Sequence, residues 1–187
     1  LMNGLKFRYR PVDEVINEME NCGARVISIN DADFFGTPER PKEVMRALKG
    51  RGIQWQAGVT SKLAQDDHML ELAAESGCTL LSIGFESITR STLKSVHKHV
   101  NRPETFAALV EKVHSYGIMV FGLFMYGFDG DDTSVFDETV KFNIDANYDA
   151  VAYSTLTPYP GTLTWYEMKK DNRIVSFDWT MYDQGHV

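Results

Sequence analysis

The chain has 187 residues, 43% of them apolar and 24% charged, which suits one soluble globular domain able to bury a real core. Its 26 acidic side chains outweigh 19 basic ones for a net charge of −7, so a nucleic-acid backbone or an anionic membrane surface is excluded as its main partner. No apolar run approaches the roughly 18–20 residues that cross a bilayer, and no basic-then-apolar leader opens the sequence.

The two cysteines, Cys22 and Cys78, are far apart and form no CxxC pair. They cannot build a disulfide framework, nor a cysteine-ligated zinc or iron–sulfur site by themselves. Both read as reduced, buried small hydrophobes in a cytoplasmic protein. The first residue is Leu1, which suggests a piece of something longer.

In chain order, Pro11 opens a first helix with Val12, Val15, Ile16 and Met19 as its apolar stripe, and Gly23 ends it. A strand follows over Arg25–Asn30. Thr37 and Pro38 start a second helix through Val44, Met45 and Leu48. The second strand covers Ile53–Val59. A helix capped near Asp66 or Asp67 stops at Gly77, and the third strand covers Thr79–Ile83. After a short helix near Thr89–Val96, a longer one runs from Pro103 to Tyr116. The fourth strand spans Ile118–Met125, a helix runs from Ser134 to about Asn147, and the fifth strand spans Ala150–Thr155. A turn at Thr157-Pro158-Tyr159-Pro160-Gly161 leads to a last helix through Trp165 and Met168.

Strands alternating with helices imply βαβ crossovers and a parallel sheet. No GxGxxG or GxxxxGK[ST] follows the first strand, which counts against a dinucleotide or P-loop open sheet. A complete eight-stranded barrel needs about 250 residues, so a partial α/β barrel of about five βα units fits better. Trp55, Phe124 and Tyr153 fall within strands and read as barrel core.

In parallel α/β folds chemistry gathers where strands end. Those positions carry Asn30, Asp31 and Asp33; Thr60, Ser61 and Lys62; Gly84, Glu86 and Ser87; Gly127, Asp129, Asp131 and Asp132; and Thr157, Tyr159 and Gly161. Four acidic clusters are thus expected to converge on one rim. Helix capping and loop solvation explain most of these carboxylates. Glu86 is harder to explain that way, because it directly follows a buried strand, where a carboxylate needs a partner. His97-x-His99 has metal-ligand spacing but reads as a solvated basic face beside Lys94 and Lys98. His68, His114 and His186 have no ligand partner at helical spacing.

Several stretches resemble radical S-adenosylmethionine (radical SAM) proteins. They are most similar to the branch that often carries a cobalamin-binding domain and includes the anaerobic magnesium-protoporphyrin monomethyl ester oxidative cyclases. Lys6–Val15 resembles the segment after that family's cluster loop. Ile29–Phe34, Ile83–Ser87, Gly122–Phe128 and Thr157–Thr162 follow in the family's order, each at the end of a successive strand.

The resemblance implies a (βα)6 TIM-like partial barrel. It implies a 4Fe-4S cluster on a CxxxCxxC loop and reductive cleavage of S-adenosylmethionine to a 5′-deoxyadenosyl radical that abstracts hydrogen from a small-molecule substrate. These residues contain no CxxxCxxC, so the resemblance makes residues 1–172 a truncated core, strands two to six, and residues 173–187 a C-terminal extension. That extension is expected to cover the barrel bottom or lead into a further domain. Carried over by position, Asn30, Asp31 and Asp33 would hold the methionyl ammonium, and Glu86 and Ser87 the ribose or methionyl end. Gly122 and Gly127 would let the backbone approach the adenine, while Tyr159 and Gly161 would form the far wall.

Two other readings stand beside this one. In the first, Asp31, Asp33, Glu86 and Asp129 bind a divalent cation in a small βα enzyme. In the second, the chain is a non-catalytic binding module. A missing first strand would also leave an unpaired sheet edge, through which self-association is expected.

Overall fold

The computed structural model describes residues 9–31, 33–37, 39–95 and 101–185. His97, His99 and His186 lie outside them. In chain order the elements are α1 (Val12–Asn21), β1 (Val26–Ile29), α2 (Glu39–Leu48), β2 (Gln54–Thr60), α3 (Asp67–Glu75) and β3 (Cys78–Glu86). They continue with α4 (Arg90–Ser95), α5 (Phe106–Ser115), β4 (Met119–Tyr126), α6 (Ser134–Asp145), β5 (Ala150–Thr155) and α7 (Leu163–Lys170).

The five strands form one sheet in the order β1-β2-β3-β4-β5, every neighbouring pair parallel. The sheet curls into the half-barrel that the alternation of elements predicts. No helix of the described residues is long and apolar enough to cross a membrane.

Alternation along each strand separates two faces. In β2, Trp55, Ala57 and Val59 are buried while Gln56, Gly58 and Thr60 remain half-exposed. The buried set faces the helices and meets Met45 and Leu48 of α2, Met69 and Leu70 of α3, and Phe106 and Val110 of α5 in a single core. Each such side chain contributes on the order of 1.5–3 kcal/mol by leaving water. Trp55 also satisfies its indole N–H, which donates to the Ser76 carbonyl at 3.1 Å. Helix α3 starts where Asp66 accepts the backbone N–H groups of His68 and Met69, the N-cap role the sequence predicts.

Two expectations about the core are corrected. Tyr153 is 41% exposed, because it lies on the outer face of edge strand β5. There it stacks on Tyr126, ring centres 5.3 Å apart, and accepts a hydrogen bond from Asn143 Nδ2 at 3.1 Å. Cys22 is exposed, because it caps the end of α1 beyond Met19, the last buried residue of that helix. Cys78 is buried as expected, and burial pushes its thiol up to about 12.

The N-terminal edge of the sheet is held by a pair the sequence leaves unmatched. His114 Nε2 on α5 lies 2.7 Å from Asp149 Oδ2, which also accepts the Val120 N–H at 2.7 Å. Burial works against the Asp149 charge, but the Val120 N–H and His114 together hold its carboxyl below the usual carboxylate range. A lowered folded-state value means stabilisation that is present at neutral pH and lost as pH falls through that value. Asp149→Ala should therefore cost about 1 kcal/mol at pH 7, its exposed flank limiting the effect, and almost nothing near pH 2. Urea titrations at the two pH values check this, and equal losses at both would refute it.

Candidate functional site

The other face of the sheet is concave and open. Register places Ser28 beside Gln56, Gln56 beside Leu80, Gly58 beside Ser82, and Ser82 beside Phe121. With Asn30 and Asp31 at the end of β1, they line a trough of about 520 Å³, within the range of small-molecule sites. Its β1–β3 side carries Ser28, Gln56 and Ser82 around Leu80, with Gly58 in its floor. A side chain at Gly58 would meet the Asp31 carbonyl at 3.5 Å, so the missing Cβ leaves room over the middle of β2.

The nine residues singled out by position divide among different places. Asn30 and Asp31 line the trough and are exposed. Asp33 is half-buried in the following loop, where its carbonyl accepts the Gly36 N–H at 3.0 Å and its carboxylate lies over Gly36. Glu86 ends β3 in a left-handed conformation, φ 69°. Its Oε1 reaches to 2.9 Å from where a Gly84 side chain would begin, so the carboxylate folds back over the concave face. Ser87 is buried, and its hydroxyl accepts the Thr89 N–H at 3.0 Å.

Gly122 points the other way. A Cβ there would stand 2.7 Å from the Tyr148 ring, which occupies the vacated space on the helical side. Gly127, φ 92°, forms the turn after β4 and donates its N–H to Asp131 Oδ2 at 3.0 Å. Tyr159 and Gly161 lie in the loop after β5, where the Tyr159 carbonyl accepts the Thr162 hydroxyl at 2.6 Å and Thr162 caps α7.

The backbone kink that carries Glu86 has a support that strand-end reading overlooks. Asn101, 5% exposed, donates from Nδ2 to the Gly84 and Phe85 carbonyls at 3.0 and 2.9 Å. Its Oδ1 accepts the Ser61 hydroxyl at 2.6 Å. These bonds lie where β3 slips register against β4, between Gly84 and Glu86. Gln56, Gly58 and Ser82 belong to the site as well, and polar or small residues at every second strand position are their signal in the sequence.

The expected acidic rim does not assemble. Asp129 pairs through both carboxylate oxygens with Arg173, which holds its carboxyl below the usual range. Asp131 accepts the N–H groups of Gly127 and Phe128, and Asp132 accepts that of Ser134. Among the described residues, no three His, Cys, Asp or Glu side chains gather as a metal site requires. The divalent-cation alternative thus loses its ligand set. Arg173 and Gln184, whose carbonyl accepts the Thr155 N–H at 2.9 Å, bring the C-terminal extension to the same edge of the sheet as these loops, away from the barrel bottom.

The profile of the Radical SAM superfamily matches residues 2–142. The chain is 37% identical to bacteriochlorophyllide d C-12(1)-methyltransferase of Chlorobaculum tepidum, over 98% of this chain and 41% of that protein. It is 27% identical to bacteriochlorophyllide d C-8(2)-methyltransferase of the same organism, over 78% of this chain and 32% of that protein. The chain thus spans less than half the length of these relatives. Among solved structures, the radical S-adenosylmethionine methyltransferase TsrM from Kitasatospora setae, with tryptophan substrate and a SAM analog bound, matches with a TM-score of 0.75 at 18% identity. That match covers 87% of this chain and 33% of TsrM. The cobalamin-dependent S-adenosylmethionine radical enzyme OxsB, with aqua-cobalamin and S-adenosylmethionine bound, matches with a TM-score of 0.58 at 16% identity, over 86% of this chain and 24% of OxsB. At such identities the likeness is one of fold.

Proposed function

The chain belongs to the radical SAM superfamily, and on that premise we propose that the β1–β3 side of its trough binds S-adenosylmethionine within a longer enzyme. The observation that carries this reading is the concavity over the interiors of β2 and β3 and the end of β1, floored by Gly58 and edged by Asn30, Asp31, Gln56 and Ser82. S-adenosylmethionine, when bound, supplies either a 5′-deoxyadenosyl radical after one-electron reduction by a 4Fe-4S cluster, or a methyl group. Transfer of a methyl group is the favoured outcome, because the relatives above are named methyltransferases.

Asn30 and Asp31 are assigned to the methionyl ammonium, where a carboxylate makes charge-assisted hydrogen bonds to a cation. Glu86, folded over Gly84, is assigned to the ribose hydroxyls. Asp33, Ser87, Gly127, Tyr159 and Gly161 are assigned to the loops that set the rim, and Gly122 to sheet packing against Tyr148. Cobalamin, bound in the OxsB structure, would sit in a separate domain of the longer protein.

The thiols here do not fit an iron–sulfur cluster. Cys22 is exposed at the end of α1, and the buried Cys78 resists forming the thiolate that ligation needs. Cluster ligands are therefore assigned to residues outside these 187.

The test is calorimetric titration of the full polypeptide with S-adenosylmethionine. Asp31→Ala, at an exposed position, and Gly58→Val, which fills the floor, should each weaken binding by ten-fold or more. Unchanged affinity in both variants, with unchanged melting temperatures, would overturn the reading.

A further inference from the structure

After β5 the chain makes a long excursion that buries nothing. It leaves the sheet at Thr155 and returns to that same residue, whose N–H and hydroxyl both donate to the Gln184 carbonyl, at 2.9 and 2.6 Å. No residue from 157 to 185 is buried. The excursion is nonetheless bound to itself. The Arg173 N–H donates to the Met168 carbonyl at 2.8 Å, and the Tyr182 hydroxyl to the Ser176 carbonyl at 2.6 Å. The Lys169 ammonium lies over the rings of both Trp165 and Phe177, which ties α7 to the extension. Away from the Thr155 pivot, the paired bonds from Arg173 to Asp129 fasten this piece to the β4–α6 loop. That ion pair is open to solvent on both partners, which makes it a weak latch in water.

Beside the excursion lies an uncovered apolar face. Along α6, Val135, Thr139 and Asn143 are buried. One flank of the helix meets α5, where the Phe142 and Phe106 ring centres are 6.4 Å apart. With 3.6 residues per turn, the opposite flank carries Phe136, Val140 and Ile144. All three are exposed, Ile144 by 73%. Phe136 lies 4.7 Å from the Tyr126 ring, which stacks on the exposed Tyr153, so this flank and the outer face of β5 form one continuous surface. Helix α7 has an uncovered face of its own, with Leu163 and Tyr166 one turn apart and exposed by 63% and 59%.

Length, reach and charge identify α7 as the occupant. Phe136 to Ile144 spans about 12 Å of helix, and the eight residues of α7 also span about 12 Å. The seven residues from 156 to 162 reach up to about 23 Å, more than the roughly 8–10 Å between packed helices. Asp137, Glu138 and Asp145 outnumber Lys141 on α6, whereas the last turn of α7 carries Lys169 and Lys170.

We propose that α7 and the extension form a strap with two seats. In the latched seat Arg173 holds Asp129; in the docked seat α7 lies along α6, with Leu163 and Tyr166 against the Phe136–Val140–Ile144 ridge. The Gln184–Thr155 bonds serve as the pivot. Exchange between the seats moves the extension off the loop after β4, and it does so whatever binds in the trough.

The experiment is hydrogen–deuterium exchange of the full polypeptide, read by mass spectrometry on the peptide covering 163–170. The variants are Arg173→Gln, Val140→Asp and the double variant, all at exposed positions. With the latch intact, Val140→Asp should change the exchange rate less than about two-fold. In the Arg173→Gln background the ridge is the seat that remains, so the same substitution should speed exchange by about five-fold or more. Benzoylphenylalanine in place of Asp137 should also photocrosslink to the 163–170 peptide about twice as often, or more, in Arg173→Gln as in the parent. Equal exchange in Arg173→Gln and the double variant would overturn the inference. So would an equal effect of Val140→Asp in both backgrounds, or a crosslink yield that does not rise when the latch is removed.

Discussion

Gly77→Ala should destabilise the fold by about 3 kcal/mol or more, through backbone strain and a clash with backbone. Gly77 joins α3 to β3 at φ 95°, a conformation that side chains resist. A Cβ there would lie 2.2 Å from the Ile53 carbonyl oxygen. That oxygen belongs to the main chain leading into β2 and has no rotamer to escape into. The Gly77 carbonyl in turn accepts the Trp55 N–H at 3.0 Å, so relieving the clash would pull at the residue whose ring anchors the core. Gly50→Ala is the matched comparison, with φ 79° and nothing within 4 Å of the added atom. It should cost only about 1 kcal/mol, the left-handed penalty alone. Urea denaturation of both variants decides the matter, and equal losses would show that the clash is relieved cheaply.

Asn101→Leu should cost about 2–4 kcal/mol and also weaken S-adenosylmethionine binding. Leucine keeps the branched four-atom skeleton of asparagine, with methyl groups bulkier than the amide oxygen and nitrogen, and loses all of the hydrogen bonding. The Gly84 and Phe85 carbonyls would lose their side-chain donor, and Ser61 its acceptor, in a site shielded from water. Glu86 depends on this clamp, because its left-handed backbone follows directly on the two carbonyls Asn101 holds. Asn101→Asp sharpens the test. It keeps the acceptor for Ser61 but removes both donors, so it should reproduce most of the loss. A thermal melt at full stability in Asn101→Leu would refute the structural claim. Unchanged cofactor affinity alongside the expected destabilisation would instead separate Glu86 from binding.

The order and type of the elements were legible because local signals set them. Glycine follows α3 and α5 where they stop, Asp66 caps α3, and the apolar runs of β3 and β4 are bounded on both sides. The fifth strand lies over Ala150–Thr155, as its sequence predicts. What was not legible depends on partners distant in sequence. Asp129 reads as a site carboxylate until Arg173, 44 residues later, neutralises it. Gly122 reads as a place for close ligand approach until Tyr148 fills the space beside it. Tyr153 reads as core unless one knows that β5 is an edge strand. The trough is lined largely by strand interiors, at Gln56, Gly58 and Ser82, whose alternation with buried neighbours is a site signal distinct from the strand ends.

The sequential strand order bears on how the polypeptide is made. Each interior strand pairs with the one synthesised just before it and the one synthesised just after it, and each edge strand with one of these. No strand of this sheet waits for a distant partner, so the mean loop to be closed is about one βα unit, and the entropic penalty of closure stays modest. On the ribosome, α1 through β2 can pair and cover one another before β3 has left the exit tunnel. The growing edge at every stage is then a single strand, and it is capped by the next unit to emerge. Slowing translation once residue 60 has left the exit tunnel should thus leave a shorter and better protected nascent intermediate than the same pause would in a sheet whose neighbours are remote in sequence.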